Sequence, residues 1–229
     1  MSTTFLPTTA EISALFATEI AALGGAVSDD RYDDGQRLFV RAVLPPVQPV
    51  RPGDAVNGGV ALRVAERVVA VHPYTFRQVC ANGAIVSQAR RGRQLSRVEL
   101  ASATEFVTAA LDEIRLTIRA CASDDAFTAA VDEMRSASAM AVEDAIALMP
   151  MLRRASDAIR EHLFAHIVSR YEREGDRSAY GLMNAVTAVA RDTRDPEEKW
   201  RLEELGGSVP ALVRLAPRVP GGREVLAGV

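Results

Sequence analysis

The chain has 229 residues, 48% of them hydrophobic, enough to bury a substantial core as one domain or two small ones. Its net charge of −3 argues against a dedicated nucleic-acid binder when taken alone, and no run of about 18 uncharged apolar residues is present to cross a membrane. The opening MSTTFLPTTAEISALF lacks the basic start of a secretion signal, and Cys80 and Cys121 sit in apolar contexts without metal-type spacing, so a reduced, cytoplasmic protein is expected.

Thr8-Thr9-Ala10-Glu11 fits a capping box, in which Thr8 and Glu11 satisfy each other's orphan donors. Ile12, Leu15, Phe16, Ile20 and Leu23 follow at helical spacing, and Gly24-Gly25 ends the run. The stretch SDDRYDDGQ reads as a solvated turn; Asp29, Asp30, Asp33 and Asp34 cluster there without the Gly-and-Glu frame of a calcium loop. Residues 37–44, RLFVRAVL, predict a strand, and Pro45, Pro46, Pro49 and Pro52 are expected to forbid regular structure after it. GGVALRVAERVVAVHPYTFRQVCANG reads as two or three strands, with a tight turn near Glu66-Arg67 and a break at Pro73. Asn82-Gly83 is the strongest short-range hairpin signal, and a short strand from Ala84 to Ser87 would follow it.

Beyond Arg97 the hydrophobic period changes from that of a strand to that of a helix. Leu100, Ala103, Val107, Ala110, Leu111, Ile114, Ile118 and Cys121 form one stripe, and helices are expected near 124–136, 138–149, 156–174, 177–192 and 196–205. Pro150, Gly175, Pro196 and Gly206-Gly207 serve as breaks or starts, and the tail from Ser208 is read as a short helix followed by coil. The expected fold class is α+β: an N-terminal helix, a small antiparallel β-sheet, then a helical C-terminal half. Residues 1–98 and 99–207 would form one composite domain, with 208–229 as a tail.

Charge is segregated along the chain. From Gln36 to Arg97 ten arginines face only Asp54 and Glu66, giving +8 and leaving the remainder at −11. Either this marks a polyanion-facing surface, or opposite-signed halves pack on each other. Alternation places Arg37, Phe39, Arg41 and Val43 on one face of the first strand, and Arg63 and Arg77 sit among apolar residues in theirs. A sheet with one helix-covered face and one arginine-studded face would result. With Arg90, Arg91, Arg93 and Arg97 it could track phosphates, and Phe39, Tyr74 and Phe76 could stack on bases.

In the helix SAYGLMNAVTAVARDT, Tyr180, Asn184, Thr187 and Arg191 share one row opposite an apolar arc. Asn and Thr are poorer helix formers than the Glu, Lys and Gln of a solvated face. A hydrogen-bonded contact row is therefore expected, and we place it against the strand end Arg77 to Gly83, with Asn82 as its partner. His162 and His166 lie four apart on one helix, but Leu163 stands where a zincin would carry its general-base Glu. No metal and no cofactor is expected.

The stretch FRQVCANGAIV, with Arg77, Val79, Cys80, Asn82 and Gly83, resembles a strand-end element of the phage/plasmid-like proteins of domain of unknown function 932. The later YGLMNAVTAVARDTRDPEEKWRLEELGG, with Gly181, Asn184, Ala185, Val186 and Thr187, is similar to their G-x-x-N-A-[VI]-T helix with its polar loop and Gly-terminated helix. VRPGDAVNGGVALRVAE is similar to their middle strands, whereas an Asn-Ser-His-Asp-Gly-like element of some members has no counterpart. The likeness spans residues 35–210 in round terms and implies a prophage or mobile-element context. It brings no established activity and so no catalytic residues.

The residues thus point to a non-enzymatic protein that binds nucleic acid, single-stranded DNA favoured, in replication or recombination. The alternative is a structural or interaction protein whose arginine-rich sheet meets an acidic partner or its own acidic helices. No membrane partner is expected, and self-association is left open.

Overall fold

The computed structural model describes residues 7–65, 68–86, 103–142, 144–156 and 159–216. Helix α1, Thr9–Ala22, opens with the expected capping box: the Thr8 side chain accepts from Glu11 N, and Glu11 reaches back to Thr8 N at 2.8 Å. Two short strands follow, β1 (Ala26–Val27) and β2 (Tyr32–Asp33), and then the long strands β3 (Leu38–Arg51), β4 (Asp54–Ala65) and β5 (Val68–Arg77), with β6 (Asn82–Ile85) completing the sheet. All pairings are antiparallel in the order β1-β3-β4-β5-β6, with β2 beside β1 on β3. Helices α2 (Ala103–Cys121), α3 (Asp124–Ser138), α4 (Ala145–Ala155), α5 (Glu161–Glu174), α6 (Ala179–Asp192) and α7 (Pro196–Leu215) make the second half. The fold is α+β, with strands and helices segregated along the chain.

The prolines do not end β3 as expected. The strand continues to Arg51, with register shifts against β4 between Val43 and Val47 and again between Pro49 and Arg51. β1 covers β3 only at Ala42 and Val43, so the proline stretch pairs on one side alone, where a missing N–H leaves no sheet partner unpaired. Pro73 likewise stays inside β5, its carbonyl accepting from Val86 N at 3.0 Å. The expected turn at Glu66-Arg67 lies outside the described residues.

Asn82-Gly83 is not the hairpin turn. The two residues open β6, where Asn82 pairs with Arg77 and Gly83 with Phe76, and the turn is Gln78 to Ala81. The positive φ falls on Ala81, at 48°. Helix boundaries also move, and the helix expected from 156 starts at Glu161. The helix placed at 138–149 starts at Ala145, capped by Asp144, and it runs through the exposed Pro150. Gly206-Gly207 sits inside α7, which continues to Leu215, so the tail read from Ser208 begins as helix.

One face of the sheet carries Leu38, Val40, Ala42, Val60, Leu62 and Val71, buried under α1 (Ile12, Phe16, Ile20) and α2 (Ile114, Ile118). Further along that face, Val56 and Ala84 meet a second core built on α3, α5 and α6. The opposite face packs Phe39, Ala61, Tyr74 and Ile85 on Trp200 of α7. Helix α6 is buried from Ala179 through Ala190, all the way round, as befits a helix enclosed by others. The helical half therefore grips the β6 end of the sheet from both faces, α6 on one and α7 on the other.

Candidate functional site

The face expected to present arginines outward is covered by α7. Arg41 is 3% exposed, and its Nε donates to Glu203 Oε2 at 2.6 Å. Arg63 pairs with Glu197, which also accepts from Arg201 at 3.3 Å. Trp200 lies between these two acids on the same helix face, with the Arg41 guanidinium 5.5 Å from its ring centre. The exposed, arginine-studded sheet is thus corrected to an arginine layer matched by the carboxylates of α7. Phe39 and Tyr74 are not free to stack on bases either: both are buried, and Phe39 stands edge-on to Trp200 at 6.0 Å.

The remaining described arginines of the segment are paired as well. Arg37, at the strand's start, is exposed and bonds Asp34 and the Tyr32 hydroxyl. Arg77 forks onto both carboxylate oxygens of Asp54 at 2.7 Å, the bidentate geometry that gives guanidinium pairs their strength. Arg51 holds Asp176 at 2.6 Å, and the Arg51 and Arg77 guanidiniums lie 5.2 and 5.8 Å from the ring centre of Tyr180. Arg90, Arg91, Arg93 and Arg97 lie outside the described residues.

Tyr180, Asn184, Thr187 and Arg191 all face the stretch Arg77 to Asn82. Asn82 Nδ2 donates to Thr187 Oγ1 at 2.6 Å and to the Asn184 carbonyl at 3.4 Å. Arg191 Nη1 donates to the Cys80 carbonyl at 2.6 Å, closing the seam at the β5–β6 turn. Asn184 meets Asn82 through its backbone. Burial pushes the Tyr180 hydroxyl up to about 12, and the Asp54 carboxylate adds to the shift against the pull of Arg77. A hollow of about 10 Å³, close to the smallest that holds one water, is bordered by Asn82, Thr187, Tyr180 and Arg77.

Burial also dominates at the arginine layer, where it pushes the Glu203 carboxyl up to about 7 although Arg41 pulls the other way. His72, on the same face, is held below its ordinary value by burial and by Arg63. Cys80 accepts from Arg77 Nη1 at 3.1 Å, and no disulfide joins it to Cys121. Among the described residues no group of three or more His, Cys, Asp and Glu is arranged to hold a metal ion. Nor is any described helix long and apolar enough to cross a membrane.

Sequence reasoning missed Glu197, Trp200, Glu203 and Asp54 as the partners of the arginines. The signal was there for α7: in PEEKWRLEEL, positions 197, 200 and 203–204 recur every three to four residues, an acidic stripe around one aromatic.

Fold and site together define an α+β protein whose helical half clasps a sheet through matched charges and a polar seam. No protein-family model, curated protein or solved structure matches the chain.

Proposed function

We propose that this is a non-enzymatic, phage- or plasmid-type nucleic-acid-binding protein, single-stranded DNA favoured, that works through Arg90, Arg91, Arg93 and Arg97. The supporting observation is where the charge goes. Every described arginine between 37 and 77 has a carboxylate within the fold. The stretch joining β6 to α2 carries four arginines against Glu99 alone, the densest positive charge of the 36–97 segment, and its own sequence offers them one carboxylate. Phosphate contacts release condensed counterions, so affinity falls steeply with salt. Anisotropy titration of labelled single- and double-stranded oligonucleotides tests this. Replacing Arg90, Arg91 and Arg93 together with alanine weakens binding alike across sequences and flattens the salt dependence by about one counterion per lost contact.

The pairing of sheet arginines with α7 also favours a second reading, an interaction protein whose arginines join its own two halves. Absence of oligonucleotide binding by the intact protein at low salt would select it.

A further inference from the structure

A hollow lies in the helical half, away from the arginine layer. It measures about 560 Å³ and is bounded by α5, the end of α6 and the turn into α7. That is within the range of small-molecule sites, about 300–1,000 Å³. Its basic lining is Arg160, His162, His166, Arg170, Arg173 and Arg194, with Asp192 as the one carboxylate.

Several of these charges are already engaged. Arg160 holds Glu198 of α7, and Arg170 bonds Glu174 at 2.6 Å. Asp192 is committed to Arg191 at 3.0 Å and lies 3.8 Å from Arg170. Arg173 and Arg194 differ: among the described residues neither has a carboxylate or hydrogen-bond partner. The two imidazoles stand edge-to-face, 5.7 Å between centres, with both rings on the exposed side of α5. Helix α5 starts at this rim with Arg160 as its N-cap, whose backbone N–H already donates to the Glu198 carboxylate at 3.4 Å. Unpaired guanidinium forks and imidazole donors solicit the same ligand chemistry, an oxyanion with several acceptor oxygens.

We infer that this groove binds a phosphate-bearing ligand, with Arg173 and Arg194 as its principal contacts. Phosphate fits better than a carboxylate, because two free forks offer more donors than a two-oxygen group accepts. The phosphate comes either from a free nucleotide or from the backbone of a single strand. The inference goes beyond the nucleic-acid reading, since it concerns different residues.

The test uses the full chain and the double variant Arg173→Ala/Arg194→Ala, with Arg154→Ala on α4 as a control outside the groove. Calorimetric titration with pyrophosphate and with adenosine monophosphate is expected to show binding that the double variant weakens at least about tenfold. The thermal midpoint and the control should be unchanged, and charge reversal by Arg194→Glu alone should weaken binding as well. Titration of labelled oligothymidine separates the sources. If its binding also drops in the double variant, the ligand is a strand backbone. If the mononucleotide binds and oligothymidine does not, the groove stands and the nucleic-acid reading fails. No binding of pyrophosphate or mononucleotide, or binding unchanged in the double variant, overturns the groove, even if Arg90, Arg91 and Arg93 prove to bind DNA.

Discussion

A Cβ built on Gly83 would lie 2.0 Å from the Tyr74 hydroxyl oxygen and 2.2 Å from its Cζ. Tyr74 is itself buried among Phe39, Ala61, Ile85 and Trp200, so its ring has no free direction in which to retreat. Gly83→Val is therefore expected to destabilise the protein by about 1–3 kcal/mol through overpacking, which a thermal or urea melt reads directly. The cause is steric crowding and not turn geometry, because Gly83 has no positive φ. Parallel loss of stability in Gly83→Ala, a residue with no β-branch, separates the two causes. Glu203 gives a prediction with a sign. Its folded value, about 7, is above the ordinary 4.5, so below pH 4.5 both states hold the proton and no penalty exists. Between those values the unfolded chain releases a proton that the folded chain keeps, and stability falls as pH rises. Wild type should thus lose stability relative to Glu203→Gln from pH 4.5 to 7, by at most about 3 kcal/mol. Melts across that window check it, and an opposite slope would show that Arg41 outweighs burial.

Helix α7 shows how an element overrides local preference. Two adjacent glycines lower helix stability by about 1 kcal/mol each relative to alanine, which is why Gly206-Gly207 reads as a terminus. Their positions explain the exception. A Cβ on Gly206 would come within 2.5 Å of the Thr187 methyl, and one on Gly207 within 1.9 Å of the Ile85 carbonyl oxygen. Helix α7 crosses α6 and the β6 backbone at these two residues, and only a bare backbone can come so close. Gly207→Ala, stabilising by helix propensity alone, should instead destabilise by more than the roughly 1 kcal/mol it gains. Equilibrium unfolding of that single variant decides between propensity and packing. The seam obeys the same rule, since Asn82 is used for the buried bond to Thr187 and not for a turn.

Across the whole molecule the charge asymmetry becomes a device for joining halves. Arg41 with Glu203, Arg63 with Glu197 and Arg51 with Asp176 each link the sheet to the helical half. Buried or half-buried pairs of this kind add little net stability, yet removing one partner strands the other. Arg77→Ala, which leaves the 6%-exposed Asp54 side chain without its bidentate partner, should cost about 2–5 kcal/mol. Replacing Arg90, Arg91 and Arg93 should leave the melting midpoint unchanged while weakening oligonucleotide binding. Measuring both properties on both variants separates arginines needed for the fold from arginines needed for oligonucleotide binding.

The sequence by itself determined the α+β class, the capped first helix, the helical stripes and the seam row on α6. Each is written in local spacing: Thr8 and Glu11 three apart, Ile114 and Ile118 four apart, Thr187 and Arg191 four apart. Only the tertiary structure decided the rest. Asn82, Gly83, Gly206 and Gly207 carry the residue types of turns and breaks, but they are there for close approach and buried hydrogen bonding to chain segments about 9 to about 120 residues away. The arginine face had two readings because alternation fixes which side of a sheet a residue takes but not what lies opposite. Glu203 sits 162 residues beyond Arg41, and a bond across that separation leaves no periodic trace in either strand or helix.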